Sequence, residues 1–396
     1  MITLKKKFSD LNNFIFKKTV IVRVDFNLPI HNQEYTDLTR IEKVKPTLEY
    51  LIKNKAKILI ISHFGRPKGE KKDEASLMNV TEEVKKVLNR EIFFCNEDLK
   101  SLKREKIDKV FEKNDIILLE NIRFHPEEEK NDETFSKKIS SLGDIYVNEC
   151  FSVSHRTHAS IVGIPKHLPS FPGMLLENEI FNLKNLITAN NLSSSVALFG
   201  GAKISTKLKI IEFYLNKFGK IIIGGAMANT FLKVNGKEIG FSLYEKSMMK
   251  KAENLLEKFS EKIILPLDAI VISKKEQNPK VKIIDEIKKN EKIVDIGPQT
   301  RMLFYNTIVE AEKLLWNGPL GLFEEKPFDE GTSFVVNAVK NNKNKNFFSV
   351  AGGGDTISVL KQCNAFNFFS FISTGGGAFL EFIQGGGLPG LDSLNE

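Results

Sequence analysis

The chain has 396 residues, 41% of them hydrophobic and 27% charged, which excludes intrinsic disorder and exceeds what a single core usually serves, so two domains are expected. The formal net charge is +8, but the lysines are interleaved with glutamates in helical stretches such as EEVKKVLNR and EKSMMKKAENLLEKF; this is the pattern of solvated helix faces, not of a nucleic-acid surface. No stretch approaches the ~20 apolar residues of a membrane span, and the longest candidate, IILPLDAIVI, is interrupted by Pro266 and Asp268.

The start, MITLKKKFSDLNNF, has no apolar core of signal-peptide length. Cys95, Cys150 and Cys363 share no metal-ligand spacing. Both features point to a reducing compartment, the cytoplasm. Along the first half, TVIVRVDF, KILIISHF, DIILLENIRF and DIYVNECF read as strands. PKHLPSFPG, with three prolines, closes that run, and MLLENEIFNLKNLI reads as a helix. A second series follows: SVALFG, KIIIGG, IVDIG, LLWNG, FFSV and FFSFIST. Between them lie amphipathic segments such as STKLKIIEFYLNKF, where Leu208, Ile211, Leu215 and Phe218 recur at helical spacing. Nearly unbroken apolar strands alternating with helices imply parallel sheets covered on both faces. The expected fold is therefore α/β: two Rossmann-like domains, each a mostly parallel sheet with helices on both faces, and a cleft between them. The expected boundaries are 1–172 for the first domain, 173–187 for a connecting helix, 188–378 for the second domain and 379–396 for a C-terminal segment.

In open α/β sheets ligands bind beyond the carboxyl ends of the strands. In the first half those ends carry Arg23, Asp25 and Asn27, then Arg40, then His63 and Arg66, then Arg123, then Arg156. Five arginines and a histidine at equivalent positions suit a small polyanion, because guanidinium binds carboxylate and phosphate bidentately. His155 and His158 in HRTH have no nearby third ligand, so a metal there is disfavoured.

The second half ends its strands in glycines: FGGAKISTK, IIGGAMANTF, VAGGGDT and STGGGAF. Glycine turns opening into helices bring backbone N–H groups to a phosphate. No G-x-x-x-x-G-K-[ST] motif supplies a lysine. Lys203 and Lys207, in another loop, are expected to face the same rim as GGGDT, with Ser205 opening a helix and Lys207 in its first turn. Asp355 is the natural Mg²⁺ ligand. Glu324 could accept hydrogen bonds from ribose hydroxyls. A polyanion site and a Mg-nucleotide site imply phosphoryl transfer, which needs alignment and charge stabilisation, not an activated nucleophile.

RVDFN, SHFGRP, LLENIRFHPEEE, HRTHAS, GGAKISTK, IIGGAMANTF, DIGPQT, WNGPLGLFE, GGGDT and STGGGAFLEF occur in the order found in the phosphoglycerate kinases. The chain resembles that family, in its bacterial form, from about residue 20 to 391. The resemblance implies reversible transfer of the acyl phosphate of 1,3-bisphosphoglycerate to ADP, giving 3-phosphoglycerate and ATP, a step of glycolysis. By matching position, Asp25, Asn27, Arg40, His63, Arg66, Arg123 and Arg156 would hold the glycerate. Lys207, Glu324, Gly353, Gly354, Asp355 and Thr356 would hold the nucleotide, with Mg²⁺ on Asp355. Arg40, Lys203 and the backbone amides of Gly375 and Gly376 would stabilise the transferring group. The resemblance further implies a monomer without nucleic-acid or membrane partners, whose C-terminal segment returns to the first domain. Two departures stand out. Asn148-Glu149-Cys150-Phe151-Ser152 replaces NDAFG, which puts the placement of Arg156 in question, and Ile383-Gln384-Gly385-Gly386-Gly387 is expected to loosen the C-terminal return. The rival readings are a non-catalytic nucleotide-binding protein on the same fold and a nucleic-acid binder.

Overall fold

The computed structural model describes residues 4–31, 34–35, 37–188, 192–274 and 278–395. It divides into two compact units, Met1–Phe181 with Gly377–Glu396, and Asn182–Gly376.

The first unit is built on six parallel strands in the order β5-β6-β4-β1-β7-β8: β1 (Thr19–Arg23), β4 (Lys57–Ile61), β5 (Phe93–Cys95), β6 (Ile116–Leu119), β7 (Ile145–Asn148) and β8 (Ser170–Pro172). A two-residue ribbon, β2 (Ile30–His31) with β3 (Glu34–Tyr35), lies outside it. Helices α1 (Thr39–Lys53), α2 (Met78–Leu88), α3 (Arg104–Phe111), α4 (Pro126–Lys130) and α5 (Glu133–Ser140) fill the connections, and α6 (Met174–Ile187) carries the boundary between the units, between Phe181 and Asn182. Strands β1, β6 and β7 are buried at every residue, as expected of apolar strands packed on both faces. One core cluster joins Val20, Val22, Ile58, Ile60 and Val147 to Ile41, Val44, Leu48 and Leu51 of α1. The order reverses at β1, whose neighbours are β4 and β7. Arg23 is in register with both Ile61 and Asn148, so the segments that follow the three strands leave from one edge.

The second unit repeats the plan with β9 (Ser195–Phe199), β10 (Lys220–Ile223), β11 (Ile263–Ile264), β15 (Lys313–Asn317), β16 (Phe348–Gly352) and β17 (Phe371–Ser373), in the order β11-β10-β9-β15-β16-β17. Its helices are α7 (Leu208–Lys217), α8 (Gly225–Val234), α9 (Met249–Phe259), α10 (Pro298–Val309), α11 (Glu330–Asn341) and α12 (Gly354–Gln362). Here the order reverses at β9, between β10 and β15. IVDIG does not join this sheet. It forms β14 (Glu291–Ile296), antiparallel to β12 (Asp268–Ser273), which also pairs with β13 (Lys280–Ile283). The apolar run IILPLDAIVI thus supplies two elements, β11 and β12, with Pro266 and Asp268 marking the change of sheet.

Helix α13 (Gly376–Ile383) and helix α14 (Pro389–Asp392) close the chain. The three-glycine stretch between them does not leave the end loose. Leu388, Leu391 and Leu394 are fully buried, Gly390 N–H donates to the Ser154 carbonyl at 2.9 Å, and Ser393 Oγ donates to the Ile161 carbonyl at 3.2 Å.

Candidate active site

At the strand-end edge of the first unit, Asp25 is the anchor. Its Oδ1 accepts from Arg40 Nη1 at 2.8 Å and from Asn27 N–H at 3.0 Å; its Oδ2 accepts from Ser152 Oγ at 2.5 Å. Burial works against ionisation of this carboxyl, but the His63 ring, Arg40, Ser152 and the Asn27 N–H outweigh it and bring the pKa down to about 2. Arg40 also donates to the Asn27 carbonyl at 2.7 Å, and Asn27 Oδ1 accepts from Gly65 N–H at 2.8 Å, which ties the β1 and β4 loops together. His63 is buried beside Asp25, its Nε2 3.9 Å from Oδ1. Arg66, in the same loop, is exposed.

Arg123 follows β6 and donates through Nη1 to the Gly65 carbonyl at 2.8 Å. Burial, then the neighbouring cations Arg23 and Arg156, push its pKa below the usual guanidinium value. The Nε atoms of Arg123 and Arg156 are buried without a hydrogen-bond partner, and the nearest carboxylate to Arg123 Nε is Glu129 at 3.8 Å. Asp25 is already engaged by Arg40, and Glu128 by Ser160 and His158. Cationic charge is therefore concentrated here beyond what the protein neutralises, which is the electrostatic requirement for an anionic ligand.

Two residues behave differently from the sequence expectation. Arg23 does not stand on the rim; it is fully buried beneath it, donating to Ser160 Oγ and the Val24 carbonyl. In a central strand with both faces covered, such a side chain has no route to solvent, which the apolar run around it signalled. Ser152, read as the loss of a glycine, instead supplies the third donor to Asp25, the one on Oδ2. Among the described residues no group of three or more His, Cys, Asp or Glu side chains is placed to hold a metal, and His158 faces Glu128 at 3.6 Å.

In the second unit the loops after β9, β15 and β16 meet at the reversal point. Lys207 Nζ donates to the carbonyls of Gly200 at 2.7 Å and Asn317 at 2.9 Å, the first residue past β9 and the last residue of β15. Burial lowers its pKa to about 8, with Asp355 working in the opposite direction. Lys207 is not in the first turn of a helix, because α7 begins one residue later. Ser205 does not open a helix either: its N–H and hydroxyl are both bound by Glu245. Lys203 is exposed.

A cavity of about 220 Å³ is lined by Gly201, Gly225, Asn229, Pro319, Glu324 and Asp355 among others. Glu324 and Asp355 are exposed on it. Gly353 has φ +104°, and a Cβ there would lie 2.7 Å from Asn317 Nδ2, so only glycine fits. Gly354 opens α12, leaving the first N–H groups of that helix unpaired within it. Thr356 is buried, and its hydroxyl is used internally, accepting from Gly318 N–H and donating to the Gly352 carbonyl, both at 2.8 Å. Only its backbone N–H is left for a ligand. Gly375 N–H donates to Ser373 Oγ at 3.1 Å, and Gly376, at φ +52°, opens α13 into open space.

The family model described as phosphoglycerate kinase matches residues 10–386. The chain belongs to the phosphoglycerate kinase family. It is 43% identical over 392 residues to the phosphoglycerate kinase of Orientia tsutsugamushi strain Ikeda, covering 97% of this chain and 96% of the relative. It is 42% identical over 399 residues to that of Finegoldia magna, with 99% of each covered. The solved phosphoglycerate kinase of Coxiella burnetii superposes with a TM-score of 0.84 at 36% identity, covering 98% of both chains. That of Pyrococcus horikoshii gives 0.85 at 29% identity, again over 98% of both. The protein is a phosphotransferase of glycolysis. Within the kinase fold, the buried arginines and the glycine-rich rim lie in different compact units.

Proposed function

We infer that the chain transfers the acyl phosphate of 1,3-bisphosphoglycerate to ADP, reversibly, with the glycerate held by the first unit and the nucleotide by the second. The observation that carries the glycerate assignment is the un-neutralised guanidinium cluster around Arg123 and Arg156, which calls for a ligand with several negative charges. Asp25, Asn27 and His63 would orient the hydroxyl and carboxyl ends, and Arg66 would add an exposed cation. In the second unit the nucleotide would occupy the 220 Å³ cavity, its ribose toward Glu324 and its phosphates at the α12 N-terminus.

Asp355 is the carboxylate that would hold Mg²⁺ arriving with the nucleotide; one carboxylate plus phosphate oxygens is an ordinary donor set for that ion. Mg²⁺ supplies charge neutralisation on the phosphates. The chain's own residues would do the rest. Lys207 holds two loop carbonyls in place and adds positive charge beside Asp355. Lys203, Arg40 and the Gly376 amide would stabilise charge on the transferring group, joined by the Gly375 amide once it leaves Ser373 Oγ. Transfer requires the reacting atoms within ~3–3.5 Å. We place the reaction in the cytoplasm, consistent with three free cysteines, and assign it to a monomer, since one chain carries both residue sets.

Calorimetry tests the glycerate assignment. Arg123→Met should weaken 3-phosphoglycerate binding by ~10–100-fold, the range of a charge-assisted contact, while Mg-ATP binding stays within about twofold. Equal loss for both ligands would contradict it.

A further inference from the structure

Arg23 sits at the end of the central strand β1 with its whole side chain buried. Nε donates to Ser160 Oγ at 2.8 Å. Ser160 in turn donates to Glu128, from its hydroxyl to Oε1 at 2.6 Å and from its N–H to Oε2 at 2.8 Å. Nη1 donates to the Val24 carbonyl and lies 3.7 Å from Cys150 Sγ. With these bonds the guanidinium plane is fixed. The remaining nitrogen, Nη2, lies 3.2 Å from Nδ1 of His63.

A guanidinium has N–H donors and no acceptor. The contact is a hydrogen bond only if Nδ1 carries the ring's lone pair. The single proton of the neutral imidazole is then on Nε2, on the side where Asp25 Oδ1 lies 3.9 Å away. An imidazolium, or the opposite tautomer, would set two N–H groups against each other at 3.2 Å in a buried site.

We propose that Arg23 is a positioning residue that locks His63 as the neutral Nε2–H tautomer, so that the ring presents a fixed, uncharged hydrogen-bond donor to the glycerate. The glycerate half of this statement rests on the reading of His63 given above. The groups facing the ring agree in sign. Burial acts most strongly against the imidazolium; Asp25 favours it; Arg23, Arg123 and Arg40 oppose it, and the pKa lies well below 6.5. The chemical benefit is constancy. A histidine left near its ordinary value would gain and lose charge around neutrality, and substrate binding would follow it. Here the charge for the anion comes from arginines, and the histidine supplies direction alone.

The test is a long-range ¹H–¹⁵N correlation spectrum of the ¹⁵N-labelled full chain, with His63→Gln used to assign the His63 signals. The lock predicts a pyridine-type Nδ1 and a pyrrole-type Nε2, unchanged from pH 8 down to about 5.5, a full unit below the ordinary histidine value. An imidazolium pattern at pH 6.5, or a proton on Nδ1, overturns it. In Arg23→Met, His63 should begin to titrate above pH 5.5, and KM for 3-phosphoglycerate should acquire a pH dependence of roughly 3–10-fold across that titration, with kcat changing less. Arg23→Lys, which keeps a donor and the charge, should retain a neutral ring. If Arg23→Met folds and its His63 still does not titrate, the lock is overturned. If it does not fold, the wild-type spectrum decides alone. Adding 3-phosphoglycerate separates the two readings: a locked ring whose signals do not shift leaves the tautomer standing and removes His63 from the glycerate site.

Discussion

Asp25 accepts three hydrogen bonds, from Arg40, the Asn27 N–H and Ser152, and these fix the carboxylate that would orient the glycerate. Removing the Ser152 hydroxyl leaves Oδ2 without a protein donor. Ser152→Ala is expected to raise KM for 3-phosphoglycerate by ~3–10-fold, about the worth of one charged hydrogen bond, with a smaller change in kcat, and Ser152→Thr should restore the value. Steady-state kinetics of the three proteins checks this; an unchanged KM in Ser152→Ala would remove Ser152 from the rim. Lys207 gives a second prediction. Its pKa, lowered to about 8 by burial, means that the free protein loses this charge as pH rises through 8, and bound phosphates should restore it. Mg-ADP binding at pH 8.5 should therefore take up a proton, seen in calorimetry as a dependence of the apparent enthalpy on buffer ionisation. At pH 6.5 the Lys207 contribution should be gone. Folding stability should rise between pH 8 and 10.5, since the folded lysine releases its proton first. Neither role was legible in the residue strings. A serine where glycine is usual reads as a loss until its neighbour Asp25 is known. A lysine after GGAKIST reads as a free phosphate ligand until the two carbonyls it holds are seen.

Two elements begin on a buried carboxylate. Glu149, just after β7, accepts from Thr47 of α1 and from the N–H groups of Leu175 and Leu176 at the start of α6, at 3.2 and 3.0 Å. Asp295 in β14 accepts from Gly331 N–H at the start of α11 at 2.7 Å and from Arg301 at 3.2 Å. Gly173 is needed beside Glu149, since a Cβ there would overlap the carboxylate. Burial raises both carboxyls to about 7 against these opposing hydrogen bonds. Each folded pKa lies above its unfolded value, so the folded state binds the extra proton. The stabilisation is complete below pH 4 and is lost as pH rises through 7. For Glu149 the span corresponds to about 3 kcal/mol. Glu149→Gln keeps one acceptor oxygen, for Thr47 and the Leu175 N–H, gives up the one facing the Leu176 N–H, and removes the titration. Its melting temperature should exceed that of the parent by more at pH 8 than at pH 5; an offset equal at both pH values would contradict the account. The sheets around these elements were largely legible, because buried parallel strands are continuous apolar runs bounded by turns, as in KILII and SVALF. The small antiparallel sheet was not. IVDIG is as apolar as its parallel neighbours, and nothing in a run of that length states which partner it will take.

At the scale of the molecule, the two residue sets lie in separate compact units with separate cores. Asp355→Asn should weaken Mg-nucleotide binding by ~10-fold or more and leave 3-phosphoglycerate affinity nearly unchanged, because Asp355 and the residues assigned to the glycerate belong to different compact units and share no partners. Parallel loss of both affinities would place Asp355 in the wrong role. The glycine turns and the strand-end arginines were legible because phosphate-binding turns need glycine and guanidinium suits an anion, whereas the order of the motifs carried meaning only through the family resemblance. The wiring beneath, Glu128 to Ser160 to Arg23 to His63, joins residues from 23 to 160 through space and leaves no periodic trace in the sequence. Phosphoryl transfer itself is the central claim. The direct measurement is ATP formation from enzymatically generated 1,3-bisphosphoglycerate and Mg-ADP, with Arg40→Ala and Lys203→Ala alongside. The account predicts turnover by the parent chain and a fall in kcat on the order of 10²–10³-fold in each variant, with KM changed far less. Binding of both ligands without ATP formation, or variants that alter KM alone, would contradict it.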